Sequence, residues 1–178
     1  TSTENNVAVG VDALLTNDAN NNTGIGTNAL KLNTTGDQNT AVGHNALTSN
    51  TTAAQNTAVG QESLKANTTG VKNVAVGAEA LKANTTASQN TAIGFESMLA
   101  NVDGLYNVAV GVEALKSNVS ADLSTAVGWK ALEDNVGTSN TALGANSGLQ
   151  NTTGAYNTAL GTDSLRDNTT GDFNVALG

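Results

Sequence analysis

The sequence predicts a repeat solenoid, a stack of parallel β-helix or β-roll-like coils, and three observations carry that prediction. A glycine closes an NTAVG-like phrase at Gly10, Gly26, Gly43, Gly60, Gly77, Gly94, Gly111, Gly128, Gly144, Gly161 and Gly178. A fixed period of 17 residues, shortened to 16 at Gly10 to Gly26 and at Gly128 to Gly144, marks a stacked array. The apolar content of 38% is almost all Ala, Val and Leu, with aromatic residues at only 3%, so any core is thin and repeated. Proline is absent, as expected of a chain whose backbone N–H groups are nearly all spent on ladder bonds.

Positions are counted from the anchor glycine. Val, Ile or Leu stands at −1, Ala at −2 (Gly24 excepted), Thr or Val at −3 and Asn at −4, with Ser124 the exception. Such a β-branched stretch between Asn and Gly reads as a short strand. Side chains alternate along a strand, so Val42 and Thr40 share one face while Ala41 and Asn39 share the other. The larger residues assign the Val face to the core, against a Leu supplied by the next element. The Ala column (Ala41, Ala58, Ala75, Ala92, Ala109, Ala126) then faces the other way, and its small size predicts a close approach there: a seam with an identical neighbouring chain or, as the alternative, tight packing within the coil.

The phrase x-x-[Ala/Ser]-Leu-x-x-Asn follows each anchor, with Leu or Met at +4 and Leu149 slipped to +5. Positions +2 and +5 pair Glu62 with Lys65, Glu79 with Lys82, Glu113 with Lys116 and Asp163 with Arg166, then reverse as Lys130 with Glu133. A charge pair at spacing three predicts one or two turns of helix. Asn17, Asn33, Asn50, Asn67, Asn84, Asn101, Asn118, Asn135, Asn151 and Asn168 occupy +7 and are expected to cap that helix in the left-handed conformation, with side chains bonding between coils. A Thr-Thr-Gly or Thr-Thr-Ala loop leads to the next strand. Residues 1–178 thus form one continuous array of about ten coils, and both ends stop inside the pattern, which predicts a piece of a longer fibre.

No catalytic, cofactor or metal constellation is present. Cysteine is absent, the sole histidine, His44, has no second ligand, and many members of the acidic column Asp12, Glu62, Glu79, Glu96, Glu113 and Asp163 are neutralised by a basic residue at +5. The expectation is that the chain is not an enzyme. A formal charge of −8 disfavours nucleic acid, and no apolar run is long enough to span a membrane. Sequons occur at Asn21 and at Asn33, Asn50, Asn67, Asn84, Asn118, Asn151 and Asn168, so glycosylation of these Asn residues competes with a structural role. Aromatics occur at +1 (Phe95, Trp129) and at −5 (Tyr106, Tyr156, Phe173), as surface residues that fill a junction between chains or stack on sugars.

The NTAVG phrase resembles the strand of trimeric autotransporter adhesin heads (YadA-like), and the fuller NTAVGHNALTSNTTAAQ resembles repeats of bacterial surface proteins and phage tail fibres that end in an endosialidase-type intramolecular chaperone. The resemblance implies a homotrimeric, extracellular, cell-surface or virion-borne fibre, a mechanical spacer with a cell-surface or glycan receptor as its partner. The alternatives are an ice-binding β-solenoid using the Thr column (Thr23, Thr40, Thr57, Thr91, Thr125, Thr141, Thr158) and a carbohydrate-binding or glycosylated surface filament.

Overall fold

The computed structural model describes residues 5–178 and forms a parallel β-solenoid. Eleven three-residue strands run β1 (Val7–Val9), β2 (Thr23–Ile25), β3 (Thr40–Val42), β4 (Thr57–Val59), β5 (Val74–Val76), β6 (Thr91–Ile93), β7 (Val108–Val110), β8 (Thr125–Val127), β9 (Thr141–Leu143), β10 (Thr158–Leu160) and β11 (Val175–Leu177). Each pairs in parallel with its sequence neighbours, in the order β1 to β11. Register follows the repeat: Thr40 lies beside Thr57, Ala41 beside Ala58 and Val42 beside Val59. Every column of the repeat therefore stacks on itself. At about 4.8 Å per strand the array rises about 50 Å.

The segment from +1 to +7 contains no helix, which corrects the helical turns expected from the charge spacing. Residues at +2 and +4 have positive φ, as at Glu62 (φ 57) and Leu64 (φ 49). Backbone bonds close three successive turns of one coil, from Ser63 N to Gly60 O, from Lys65 N to Glu62 O and from Asn67 N to Leu64 O, at 3.4, 3.3 and 3.1 Å. Residues i and i+3 of a β-turn are neighbours just as they are on a helix, so spacing three could not separate the two. The remaining donors settled the matter. The +2 N–H donates to the coil before (Glu62 N to His44 O, 2.9 Å), while those at +4 and +6 donate to the coil after (Leu64 N to Ala80 O, 3.0 Å; Ala66 N to Lys82 O, 3.1 Å). A helix would have kept those donors for itself. A left-handed conformation costs roughly 1–2 kcal/mol for a side chain such as Leu, which burial of that Leu, contributing about 1.5–3 kcal/mol, offsets.

The strand faces are the reverse of the expectation. Ala41, Ala58, Ala75, Ala92, Ala109 and Ala126 are fully buried within the single chain, in one cluster with Leu30, Leu47, Leu64, Leu81, Met98, Leu115 and Leu132. The Ala column therefore offers no seam to another chain. Ala or Ser at +3 completes the apolar core, which holds one large apolar side chain per coil; Leu or Met takes that place, and the strand contributes a methyl from Ala. The Val and Thr columns point outward. At the anchor, Gly43 has φ 141, and a Cβ there would collide with the carbonyl of Gly60. The glycine column thus permits the close stacking of corners.

Candidate interaction surface

Inside each coil two columns of asparagine are buried. At +7, Asn84 Nδ2 donates to Asn67 Oδ1 (2.8 Å) and to the Ala87 carbonyl (3.0 Å). The same pair of bonds recurs at Asn50, Asn67 and Asn101. None of these residues has positive φ, so they are not left-handed caps. Their role is the inter-coil ladder. The second column, at −4, lines the core beside Ala: Asn39 Oδ1 accepts from Asn56 N (3.0 Å) and Asn39 Nδ2 donates to the Ala53 carbonyl (2.8 Å). Sequence reasoning placed Asn39 on the Ala face but gave it no task. The near-constant Asn at −4, where a strand position would tolerate other polar residues, was the signal.

Burial decides the sequons. Asn33, Asn50, Asn67, Asn84, Asn118 and Asn151 lie at 0 or 1% exposure with their Nδ2 groups bonded, and Asn168 is half-buried with Nδ2 donating to Asn151 Oδ1 (2.9 Å). In the folded chain an oligosaccharide on those nitrogens would have no space. Asn21 is the exposed sequon, and its Oδ1 accepts from Asn5 Nδ2 at 3.4 Å.

On the turn face the +2 and +5 side chains form a charge zipper that runs between coils as well as within them. Glu62 accepts from Lys65 and from Lys82 of the next coil, both at 2.8 Å. These two ammonium groups push the Glu62 carboxyl down to about 2. Glu113 is likewise lowered, by Lys116 and Lys130. The reversal at Lys130 and Glu133 now has a reason: Lys130 stacks over Glu113 (3.1 Å) and meets Glu133 (3.1 Å), so the swap continues the alternation along the rod. Lys82, Lys116 and Lys130 are correspondingly held above the ordinary lysine range by the carboxylates they contact. The acidic column is thus occupied by lysine rather than arranged for a cation. Among the described residues, no group of three or more His, Cys, Asp and Glu is placed to hold a metal. His44 is exposed, with Nδ1 3.3 Å from Asn45 Nδ2. A groove of about 550 Å³ with a mainly apolar lining crosses this face over Ser49, Lys65, Ala66, Glu79, Lys82, Ala83, Leu99 and Ala100. It contains no nucleophile paired with a base.

The outward sheet face is different in kind. It is built from the −3 and −1 columns, in which every residue is Thr, Val, Ile or Leu. Val9 is 57% exposed, Ile93 40% and Leu143 51%. The next outward positions on either side, −5 and +1, hold all five aromatics of the chain, each about half exposed or more. Tyr156 and Phe173, from adjacent coils, stack with centroids 5.0 Å apart, and Lys130 Nζ lies 5.5 Å from the Trp129 ring. Within the described residues no helix is long and apolar enough to cross a membrane. The sequence matches no family model and no curated protein, and the fold matches no solved structure.

Proposed function

We propose that this chain is a structural segment of an extracellular or virion-borne fibre, of adhesin or tail-fibre type, which acts as a mechanical spacer and assembles as a homo-oligomer, with three chains favoured by the family resemblance. One observation carries the reading: eleven strands in unbroken parallel register, with successive coils bonded through their strands, their turns and two asparagine columns that break only around Ser124 and between Asn118 and Asn135. Stability of such a stack comes from interfaces between neighbouring coils. Pulling along the rod axis loads the hydrogen bonds between successive coils, and separating two coils breaks a whole ring of them at once. The surface polar groups of the turn face are already engaged with one another, which suits a wall better than a reaction centre.

The test is location. Antibodies raised against the folded chain should label filaments projecting from intact cells or virions of the source. Labelling that appears only after the envelope is broken open overturns the reading.

A further inference from the structure

We infer that the rod has one built-in opening point, along the loop edge between residues 118–124 and 135–140, where two adjacent coils part while staying hinged on β8 and β9. The opening follows from the bonding of the loops; its use, to give at a set place under load, rests on the fibre reading.

At every other junction among the described residues, this edge is crossed by a +7 asparagine bond and a +8 backbone bond. One coil before the gap, Val102 N and Asp103 N donate to Val119 O (2.9 and 3.3 Å), Asn118 Nδ2 to Asn101 Oδ1 (3.1 Å) and Asn107 Nδ2 to Ala121 O (2.8 Å). At the gap each of these is lost. Val119 N and Ser120 N reach no carbonyl of the next coil, Asn135 Nδ2 turns to Gly137 O in its own loop (2.7 Å), and Ser124 has no amide to donate. Val119, Ser120 and Val136 are exposed, so water takes their free backbone groups. Asp122 O still accepts from Ser139 N (2.9 Å) and Thr138 Oγ1 (2.7 Å), and Ser124 Oγ from Asn140 N at a longer 3.3 Å. The other two sides are closed. The strands are tied by Thr125 N to Asn140 O (2.8 Å), and the turns by Leu115 N to Ala131 O (3.0 Å), Ser117 N to Glu133 O (2.9 Å) and the ion pair of Lys130 with Glu113 (3.1 Å).

Loop length is the cause. Four residues separate Asn135 from Asn140, against five between Asn118 and Ser124, so the shorter loop cuts the corner and leaves the longer one before it without partners. A step from a short loop to a long one loses nothing of the kind: Val136 N reaches Thr152 O (2.8 Å), and the other short loop keeps Asp18 N on Thr34 O (2.9 Å) and Asn17 Oδ1 on Asn33 Nδ2 (2.6 Å). Since a stack is held by the interfaces between neighbouring coils, the junction with the fewest ties opens first.

Amide hydrogen exchange on the intact chain tests this, because the bonds flanking the gap have counterparts one coil earlier. Ser117 N, on Glu133 O, corresponds to Ala100 N on Lys116 O, and Ser139 N, on Asp122 O, to Leu123 N on Leu105 O. Corrected for intrinsic rates, Ser117 and Ser139 should exchange at least about tenfold faster than Ala100 and Leu123, as sub-global opening requires. Thr125 N on β8 should match Val108 N on β7. Equal rates at the flanks overturn the opening, and equally fast exchange at Thr125 overturns the hinge. Two variants test the cause. Inserting Thr between Val136 and Gly137, together with Ser124→Asn, should slow Ser117 and Ser139 to the rates of their counterparts. Deleting Thr69 shortens an intact loop and should speed exchange at Ser49, whose N–H is bonded to Lys65 O, by at least about tenfold. Rates that do not move in either variant overturn loop length as the cause. None of these results touches the antibody experiment, so the fibre reading stands or falls separately.

Discussion

The coils between Gly26 and Gly128 and those between Gly128 and Gly161 follow one plan with different fidelity. In the first region every period is 17 residues, +4 is always Leu or Met, and Asn118, Asn101, Asn84, Asn67, Asn50 and Asn33 pass one Nδ2 to the next Oδ1 without a gap. In the second, one period shortens to 16, and just before it Ser124 replaces the −4 Asn. The ladder is interrupted between Asn118 and Asn135, whose Nδ2 turns to the Gly137 carbonyl at 2.7 Å, while Asn118 Oδ1 accepts from Ala121 N at 3.1 Å. Asn140 N reaches Ser124 Oγ at 3.3 Å, longer than the 2.8 Å from Asn157 N to Asn140 Oδ1 one coil later. The strands nevertheless remain in register through both junctions. Backbone pairing sets the stack, and the side-chain columns strengthen it without defining it.

At +4 the second region has Gly148, with φ 63, in the place that the sequence alone assigned to a slipped Leu. Leu149 is not slipped: it occupies the half-exposed +5 column, as Leu99 does. The Leu132 side chain leans into the vacancy, so that a Cβ on Gly148 would lie 2.8 Å from Leu132 Cδ2. The core is kept closed by a neighbour rather than by its own residue.

The largest effect that would sharpen this contrast is truncation in the regular region. Leu81→Ala should cost about 2–5 kcal/mol by chemical denaturation, whereas Leu149→Ala, already half-exposed, should cost under about 1 kcal/mol; equal costs would mean that Leu149 shares the core. Next comes Asn84→Ala, which takes the donor from Asn67 Oδ1 and the acceptor from Asn101 Nδ2. Each orphaned group costs about 1–3 kcal/mol, and hydrogen exchange should rise first in the two adjacent coils. An unmoved melting curve would show that the ladder is incidental.

Repairs to the second region should give smaller gains. Gly148→Leu with Leu132 rotated back should stabilise by about 1–2 kcal/mol, less than the full burial of a Leu because of the left-handed backbone. Destabilisation instead would show that the Leu132 packing has become fixed. Ser124→Asn should add about 0.5–1.5 kcal/mol by restoring the −4 bonds. The smallest effect is that of pH. The Glu62 carboxyl is depressed from 4.5 to about 2 in the folded chain, so the unfolded chain binds its proton first as pH falls. The zipper's contribution is full above about pH 4.5 and is lost on acidification toward pH 2. Glu62→Gln should flatten the melting temperature across that window at low salt. A slope unchanged from the parent would assign the acid sensitivity to other carboxylates.

The sequence by itself determined the period, the strand positions, the parallel stacking and the i,i+3 pairing of charges, because each is a one-dimensional regularity that stacking converts directly into a contact. It did not determine which strand face is inside. Alternation separates Ala41 from Val42 but assigns neither to the core, and the rule that larger apolar residues go inward fails where the coil holds one large apolar side chain and Leu47 takes that place. Nor did it distinguish turn from helix, since Glu62 and Lys65 are neighbours in both. That was decided by the adjacent coils, whose carbonyls take the N–H groups at +2, +4 and +6, and by the backbone turning left-handed at Glu62 and Leu64 to deliver them. The outward Thr and Val face came from the tertiary structure, because inside and outside are defined only once the coil has closed.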